Sequence, residues 1–483
     1  SIVSELLIVR AKWADAALSS ELSEAFYAVA ARAEEPAERL SMEEALQVAL
    51  RNNRLIREAE ENARAAVAAK KSARADFLPK AHLSYQIRAL DEDPYLTVAD
   101  SPVVTVVPGL GGVITGTESQ DMQVAHRQLS HWSARLTQPL FTGFALTSRY
   151  RMAALGIRIK GVERELAVQD VIRNVKVAYL HVLLSEKLLD VLRDTEKSLA
   201  LHAANGRRFY EEGLIPYNDL LEAEVALAAA TQRRVEAEAR ASVAVSALNT
   251  LLDWDVNRNV KVREVEGTPP PAASLVDLLD EAGKARPELR ALQFGVDRTS
   301  EGIRLAASAY YPRIALVGEY YQEGRDLAAT ENDYANTHNA VVAVQAEWTF
   351  FEWGKTRAET ARLKHRRKAL EEKIKAVEQG VRLEVKQAFA SLQVARTNIT
   401  TADQALAQAR ENLRINERRF DQHIGDTSDV LDATAFLTRA QANYYQALYG
   451  CKTAEAELDR VIDALSPRIG QRILKEWDFP EPP

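Results

Sequence analysis

Two stretches of this chain, Leu146 to Tyr210 and Lys355 to Phe420, contain no proline and almost no glycine. A continuous helix over either stretch would be roughly 95 Å long at the rise of an α-helix. Such a rod cannot be the core of a compact domain and needs lateral partners along its whole length. The apolar spacing says which kind. Leu370, Ile374, Val377, Val381, Val385, Phe389 and Leu392 make six steps of about 3.67 each, the period of straight or slightly right-handed packing. Leu437, Ala440, Tyr444, Leu448, Cys451, Ala454, Leu458, Val461 and Leu465 make eight steps of about 3.5 each, the period of a left-handed coiled coil. Alanine is frequent on these faces and allows close approach of helices.

The chain is also an internal duplication. Laid with Ser41 over Ser274, "SMEEALQVALRNNRLI" covers "SLVDLLDEAGKARPEL", so that Leu46 meets Leu279 and Pro79 meets Pro312. A second, smaller offset lays "TQPLFTGF" at Thr137 over "EWTFFEWG" at Glu347, pairing Phe141 with Phe351. "RRFYEEGLIPYNDLLEAE" at Arg207 is echoed by "RRFDQHIGDTSDVLDATA" at Arg418, bringing Asp219 over Asp429 and Glu222 over Asp432. Matches in one order, with offsets that change only in loops, mean two copies of one unit. The division that follows is an N-terminal extension 1–39, a first copy 40–253, a linker 254–273, a second copy 274–466 and a C-terminal tail 467–483.

Each copy reads helix, strand, loop, strand, long helix, turn, long helix. Residues 41–53 and 55–76 are helix formers with a capping box at Ser41 and Glu44. Pro79 and Pro312 end the helices that precede them. The period then changes from 3.6 to 2, giving strands at about 80–90, 128–141, 313–322 and 339–351. Leu83, Tyr85 and Ile87 share one face of the first, and Trp132, Ala134 and Leu136 one face of the second. Ile314, Leu316 and Tyr320 share a face of the third, and Val342, Val344, Ala346, Trp348 and Phe350 of the fourth. Strands of about ten residues are long enough to cross a bilayer when tilted. Their alternation equally fits a water-soluble antiparallel sheet with one wet face. Aromatics near the strand ends, and the lack of another apolar layer in the chain to cover four strands, favour the membrane. The long helices turn back at tips near 211–219 and 421–429, with Gly213 or Gly425 as helix stop and Asn218 or Ser428 as cap of the next helix. Counted from its glycine, the second turn is two residues shorter.

Composition excludes much else. The net charge of −7 gives no basic footprint for nucleic acid. A single cysteine, Cys451, rules out a disulfide framework, and the eight histidines are scattered without metal-ligand spacing. No cofactor fingerprint is present: "PGLGG" at Pro108 lacks the spacing and the lysine of a phosphate loop. No nucleophile–base pair stands out, so no enzyme is expected. No run reaches eighteen apolar residues, which excludes a membrane helix but not a membrane barrel. The segment before Leu40 reads as a mature N-terminus rather than an intact signal peptide. The rival to a membrane barrel is a soluble or periplasmic coiled-coil scaffold with an incidental sheet. An apolar segment, "SPVVTVVPGLGGVITGT" at Ser101, reads as the loop between the first two strands, packed on a rim or marking a partner site.

From Leu40 onward the chain resembles the TolC family of outer-membrane channels, of the multidrug-efflux and type I secretion kind. The residues that carry this are "LSMEEALQVALRNN", "ARADFLPKAHLSY" with its duplicate "AASAYYPRIALVGEY", "QPLFTGF" and "DVLDAT". The resemblance implies a mainly α protein with membrane β: a homotrimer whose four strands per protomer form one twelve-stranded outer-membrane β-barrel, continued by a long periplasmic α-helical barrel. It implies a passive exit duct that works with a periplasmic adaptor and an inner-membrane pump, holds no cofactor or metal and meets outer-membrane lipid. By that likeness Asp429 and Asp432, with Asp219 and Glu222 as first-copy counterparts, line the periplasmic aperture. They also read simply as first-turn acids at a helix N-terminus. Gly213, Leu214, Gly425 and Asp426 form the tip turns and adaptor contact. Pro79, Pro312, Gly143 and Gly354 mark the junctions of barrel and helices. Leu83, Tyr85, Trp132, Leu136, Leu316, Val344 and Trp348 face lipid.

Overall fold

A computed structural model describes residues 39–109, 111–265, 274–422 and 424–462. The N-terminal extension up to residue 38, the linker from 266 and the tail, with Leu465, lie outside the described residues. The chain divides into two compact units. Unit 1 comprises residues up to Glu58, Glu165–Arg286 and those from Gln379 on; unit 2 comprises Ala59–Arg164 and Pro287–Glu378.

The elements come in matched pairs. Met42–Asn52 (α1) and Arg54–Ala75 (α2) correspond to Leu275–Ala285 (α5) and Pro287–Ala307 (α6), and Lys80–Ala89 (β1) to Arg313–Gly324 (β5), all begun at the offset that lays Ser41 over Ser274. Gln128–Phe141 (β4) corresponds to His338–Glu347 (β6), Ala145–Glu211 (α3) to Lys355–Asp421 (α7), and Tyr217–Leu251 (α4) to Thr427–Val461 (α8), all begun at the offset that lays Thr137 over Glu347. The long helices have equal lengths in the two copies, 67 residues for α3 and α7 and 35 for α4 and α8. The offset changes inside one connection, and the reason is a hairpin found only in the first copy. Tyr95–Val107 (β2) pairs with Gly111–Gln123 (β3) from Tyr95↔Gln123 to Val107↔Gly111. The segment read as an apolar loop is therefore strand. Valine, threonine and isoleucine favour the extended backbone, and Gly109 and Gly111 take the positive φ that its turn requires.

In unit 2 four antiparallel strands form one sheet in the order β1-β4-β5-β6, and the outer edges of β1 and β6 are unpaired among the described residues. Its register puts Leu83 beside Ala134, Ala134 beside Tyr320 and Tyr320 beside Ala340. Residues read as the apolar faces of four separate strands thus share a single face. Pro139 sits where β4 slips register between Pro139 and Phe141, a bulge that accommodates a residue with no N–H to donate. β6 ends at Glu347, short of the expected position 351, so Trp348 and Phe350 lie beyond it. Glu347 pairs with Arg313, and the partner strand cannot continue because Pro312 precedes it.

After β4 and β6 the chain enters its long helix through two successive left-handed residues, Gly143 (φ 63) with Phe144 (φ 71) and Trp353 (φ 53) with Gly354 (φ 78). At the offset of the long helices Gly143 matches Trp353, so the two junction glycines are neighbours in one turn rather than equivalents. Phe141, Phe144 and Tyr311 close the first junction as a mutually edge-on cluster with centroids 5.6 to 6.3 Å apart.

In unit 1 the core is built from α1 (Ala45, Leu46, Ala49), the stretch of α3 from Val171 to Leu183, and α4 (Ala244, Leu248), with Leu252, Val262 and Tyr449 of α8. The Ser41 hydroxyl accepts from the Glu44 N–H at 3.2 Å while the Glu44 carboxylate accepts from the Ser41 N–H at 2.8 Å, capping α1. Residues 254–265, read as linker, belong to this core. Val262 bridges to Leu40, and the fully buried Tyr179 hydroxyl lies 2.7 Å from the Leu40 carbonyl, 2.6 Å from that of Arg263 and accepts the Arg263 N–H at 3.0 Å. Burial pushes the Tyr179 pKa up to about 12, so the phenol stays neutral as a fastener should.

The junction glycines are separable by mutation. A Cβ on Gly143 would stand 2.5 Å from the Ser308 carbonyl oxygen, whereas one on Gly354 meets open space. Gly143→Ala should cost at least about 2 kcal/mol and Gly354→Ala about 1 kcal/mol, the latter from backbone conformation alone. Denaturation midpoints of the two variants measure the difference, and equal costs would contradict the close approach at Gly143.

Candidate functional site: hairpin tips and an apolar sheet face

The first tip is built by helix stop signals. The Gly213 N–H donates to the Tyr210 carbonyl at 2.9 Å and the Leu214 N–H to the Phe209 carbonyl at 2.8 Å, with Gly213 at φ 74. This is a Schellman ending, in which a left-handed glycine lets the chain satisfy the last carbonyls of α3. The second tip repeats the outer bond, Ile424 N–H to Arg419 carbonyl at 2.9 Å, but Gly425 does not hold the left-handed place. That place corresponds to position 423, outside the described residues. Gly425 is needed for close approach instead: a Cβ there would lie 3.2 Å from Arg419 Cβ and 3.3 Å from Phe420 N. Both turns join helices that end at Glu211 or Asp421 and restart at Tyr217 or Thr427. They are equally long, and the two-residue shortening counted from the glycines is corrected. By the same bounds the repeated "RRF" is one residue out of register, because Phe209 corresponds to Arg419.

The helix starts differ from expectation too. Pro216 and Asp426 occupy the N-cap positions, neither makes a side-chain cap bond, and the Asn218 amide instead donates to the Glu222 carboxylate at 2.8 Å. Proline there adopts the extended N-cap backbone (φ −72, ψ 156) without needing a donor.

Around these turns the acids are not equivalent. Glu222, Asp429 and Asp432 are exposed, and Asp219 is half-buried. Burial first, then the charges of Glu222 and Asp426, hold the Asp219 carboxyl above the usual range. The residue of the second tip that Asp219 feels is therefore Asp426, assigned from sequence to the turn and not to the acidic set. Beneath the acids lies a cluster the sequence did not reveal. Phe420, buried with Leu413, Val430 and Ala433, lies 5.7 Å from the Phe209 ring and 4.7 Å from that of His202. His202 Nε2 is buried without a hydrogen-bond partner among the described residues, and burial depresses its pKa. Contacts between hairpins far apart in sequence leave no periodic trace, so these partners were out of reach. Leu214 and Ile424 remain exposed at corresponding places.

The second surface is the sheet of unit 2. Leu83, Tyr85, Leu136, Leu316 and Val344 are exposed on its apolar face, Leu83 at 72% and Val344 at 65%. Trp132 is half-buried there and donates its Nε1–H to Gln322 at 3.0 Å, while Gln322 donates to the Tyr320 hydroxyl at 2.8 Å. Trp348, beyond the strand, is exposed. The opposite face is polar: Arg135 binds Glu319 at 2.9 Å, Ser84 and Ser133 share a hydrogen bond of 2.9 Å, and His131 Nδ1 lies 3.4 Å from Glu323. Pro79, Pro312, Gly143 and Gly354 stand where strands and helices meet, as the element bounds show. Among the described residues no helix is long and apolar enough to cross a membrane, and no group of three metal-ligating side chains is assembled.

Comparison with known proteins agrees with this geometry. The family model described as "Outer membrane efflux protein" matches residues 45–253 and 278–463. The outer membrane protein TolC of Vibrio cholerae is 23% identical over 307 residues, covering 62% of this chain and 68% of that protein. The outer membrane efflux protein BepC of Brucella suis is 28% identical over 196 residues, 41% of this chain and 42% of that protein. The crystal structure of the CmeC outer membrane channel of Campylobacter jejuni superimposes with a TM-score of 0.72 at 15% identity, covering 90% of this chain and 88% of that one.

At neutral pH an ionised Asp219 should strain the tip. A carboxyl held above its usual pKa gives stability that is present while it is protonated and lost as pH rises through its folded value. Asp219→Asn should slow hydrogen exchange of the tip amides at pH 7, with the difference fading as acid protonates the native residue. Equal exchange in the two proteins at neutral pH would contradict it.

Proposed function

The chain belongs to the outer membrane efflux protein family, and from that premise we propose that three copies form one exit duct. It is an outer-membrane efflux channel of the kind used in tripartite systems, passive and without catalytic activity. The sheet of each copy would supply four of twelve barrel strands, and the long helices the walls of a periplasmic tunnel. An adaptor would engage the tip turns, Gly213, Leu214, Gly425 and Asp426, and an inner-membrane pump would deliver cargo.

The observation that carries this reading is the sheet. Four strands cannot close a barrel, and the edges of β1 and β6 are left open in one chain. Leu83, Tyr85, Leu136, Leu316 and Val344 are exposed on one face, and ion-paired and hydroxyl-bearing residues lie on the other. That is the alternation of a barrel wall with lipid outside and water within. A soluble scaffold would leave those edges and that face without cover.

At the tips, Asp429 and Asp432, with Asp219 and Glu222 behind them, would become rings of three carboxylates around the aperture. Close like charges attract cations and resist full ionisation when the ring narrows.

Mass measurement in detergent should give a trimer, and a stable monomer would sink the proposal. Leu136→Arg or Val344→Arg should cost roughly 2–4 kcal/mol of insertion near the bilayer midplane, whereas Gln86→Arg on the polar face should be mild. Ser133, on the same polar face, is only 6% exposed, so arginine there would be costly through crowding rather than through lipid. Replacing Asp429 and Asp432 with alanine should weaken cation selectivity and block by multivalent cations in single-channel recordings; unchanged selectivity in an intact trimer would leave these acids only a helix-start role.

A further inference from the structure

At the end of the sheet remote from the helices, two connections behave differently. The one between β1 and β4 runs on past the last rung. The one between β5 and β6, residues 325–337, turns back over the sheet, and the side it covers is identifiable. Ser130 pairs with Gly324, and Trp132 pairs with both Gln322 and Tyr85, so these positions alternate onto the apolar face. A Cβ on Gly324 would stand 2.7 Å from the Ala329 carbonyl carbon and 2.7 Å from the Glu331 carbonyl oxygen. Ser130 and Ala329 are both fully buried. The Tyr85 hydroxyl donates to the Leu327 carbonyl at 2.7 Å. The connection therefore leaves β5, crosses β4 and reaches β1 on the apolar side.

Its polar groups close on one another. The Asp326 carboxylate accepts the N–H groups of Thr330 at 2.6 Å and Glu331 at 2.9 Å, and the Thr330 hydroxyl at 2.8 Å. The Arg325 N–H donates to the Glu331 carbonyl at 2.7 Å, and its guanidinium to the Glu331 carboxylate at 3.0 Å. Asn332 Oδ1 accepts the N–H groups of Tyr334 and Ala335, each at 3.1 Å. A turn whose polar groups are satisfied internally loses little on leaving water. Outward it presents Leu327, 69% exposed, with the exposed Ala328 beside it. Close by on the same face, Trp132, Gln322 and Tyr320 are joined through their polar ends. Aromatic rings with a polar handle collect where a membrane meets water.

We propose that the β5–β6 connection is a lipid-contact element, lying on the outer side of the sheet with Leu327 entering the boundary between headgroups and acyl chains. This rests on the reading of the apolar face as lipid-facing, and it extends that contact from the strands to a connection. The same placement keeps the connection out of the lumen, so it does not narrow the mouth of the duct. A second copy is the rival occupant, because Leu327 reaches β1, an open edge. Lipid fits better, because Leu327 continues the exposed apolar surface of Leu83, Leu136 and Val344.

A bimane label on L327C tests this in the full chain reconstituted into phosphatidylcholine vesicles, since the native Cys451 is buried. Its emission should shift to the blue and be quenched by a nitroxide near the ester end of the acyl chains, while aqueous iodide leaves it bright. Labelled V344C, on the sheet itself, is the reference and should respond alike. Adding G324A, whose methyl group displaces the connection, should open L327C to iodide and leave V344C unchanged. Iodide quenching of L327C beside lipid quenching of V344C overturns this contact and leaves the channel standing. So does an L327C signal indifferent to G324A. Protection of L327C from both quenchers also overturns it, and puts a second copy in the place of lipid. A V344C label reached by iodide alone overturns the lipid-facing reading as well.

Discussion

A helix as long as α3 or α7 needs something beside it at every turn, and most of this structure follows from that requirement. Helix propensity alone does not hold such a rod in water; burial of one stripe does. Along α3 that stripe runs through Val171, Val175, Tyr179 and Val182, all at 1% exposure or less. Duplication meets the requirement economically, because a second copy of the same hairpin has the same length and pitch. Insertions inside the helical parts would leave uncovered turns. The copies accordingly keep a constant offset from the start of β4 to the end of α8, and depart from it only in a connection between strands.

Likeness of length leaves room for divergence in chemistry. At the start of α2 the first copy places Asn53, whose amide donates to the Leu251 carbonyl at 2.9 Å. The corresponding place in the second copy holds Arg286, 3% exposed and ion-paired with Glu384. Glu384 in turn meets Arg460 at 2.5 Å, and Arg460 meets Glu457 at 3.3 Å. An ionic chain anchored on one buried member is a poor source of net stability, but removing a partner of Arg286 leaves a buried charge behind. It fixes which helices meet, where an amide leaves more freedom.

The sequence carried the parts of the fold that repeat with a local period. Helix bounds came within a residue or two, the capping box at Ser41 was visible, and four apolar strand faces were read separately before the register joined them into one. Less legible were features decided by a single residue's backbone. Gly213 and Gly425 look equivalent as letters, yet one is needed for its φ and the other for lack of a side chain. The same confusion at Gly143 and Gly354 hid a two-residue left-handed junction whose glycine occupies either place. The β2–β3 hairpin was missed because its alternation is interrupted by register shifts between Val98 and Ser101 and between Val103 and Val104. The partners at the tips, Asp219 with Asp426 and His202 with Phe420, depend on how two hairpins meet, which no single stretch of sequence encodes.

The β1–β4 ladder is complete at Ala89↔Gln128, and everything between those two residues hangs beyond its last rung, tied back by single bonds such as Leu90 N–H to Arg127 carbonyl at 2.8 Å. A change of length there alters no register and no face assignment in the sheet. This connection can consequently change in length without moving a strand of the sheet. A foreign peptide grafted between β2 and β3 would be displayed without disturbing the sheet or the helices.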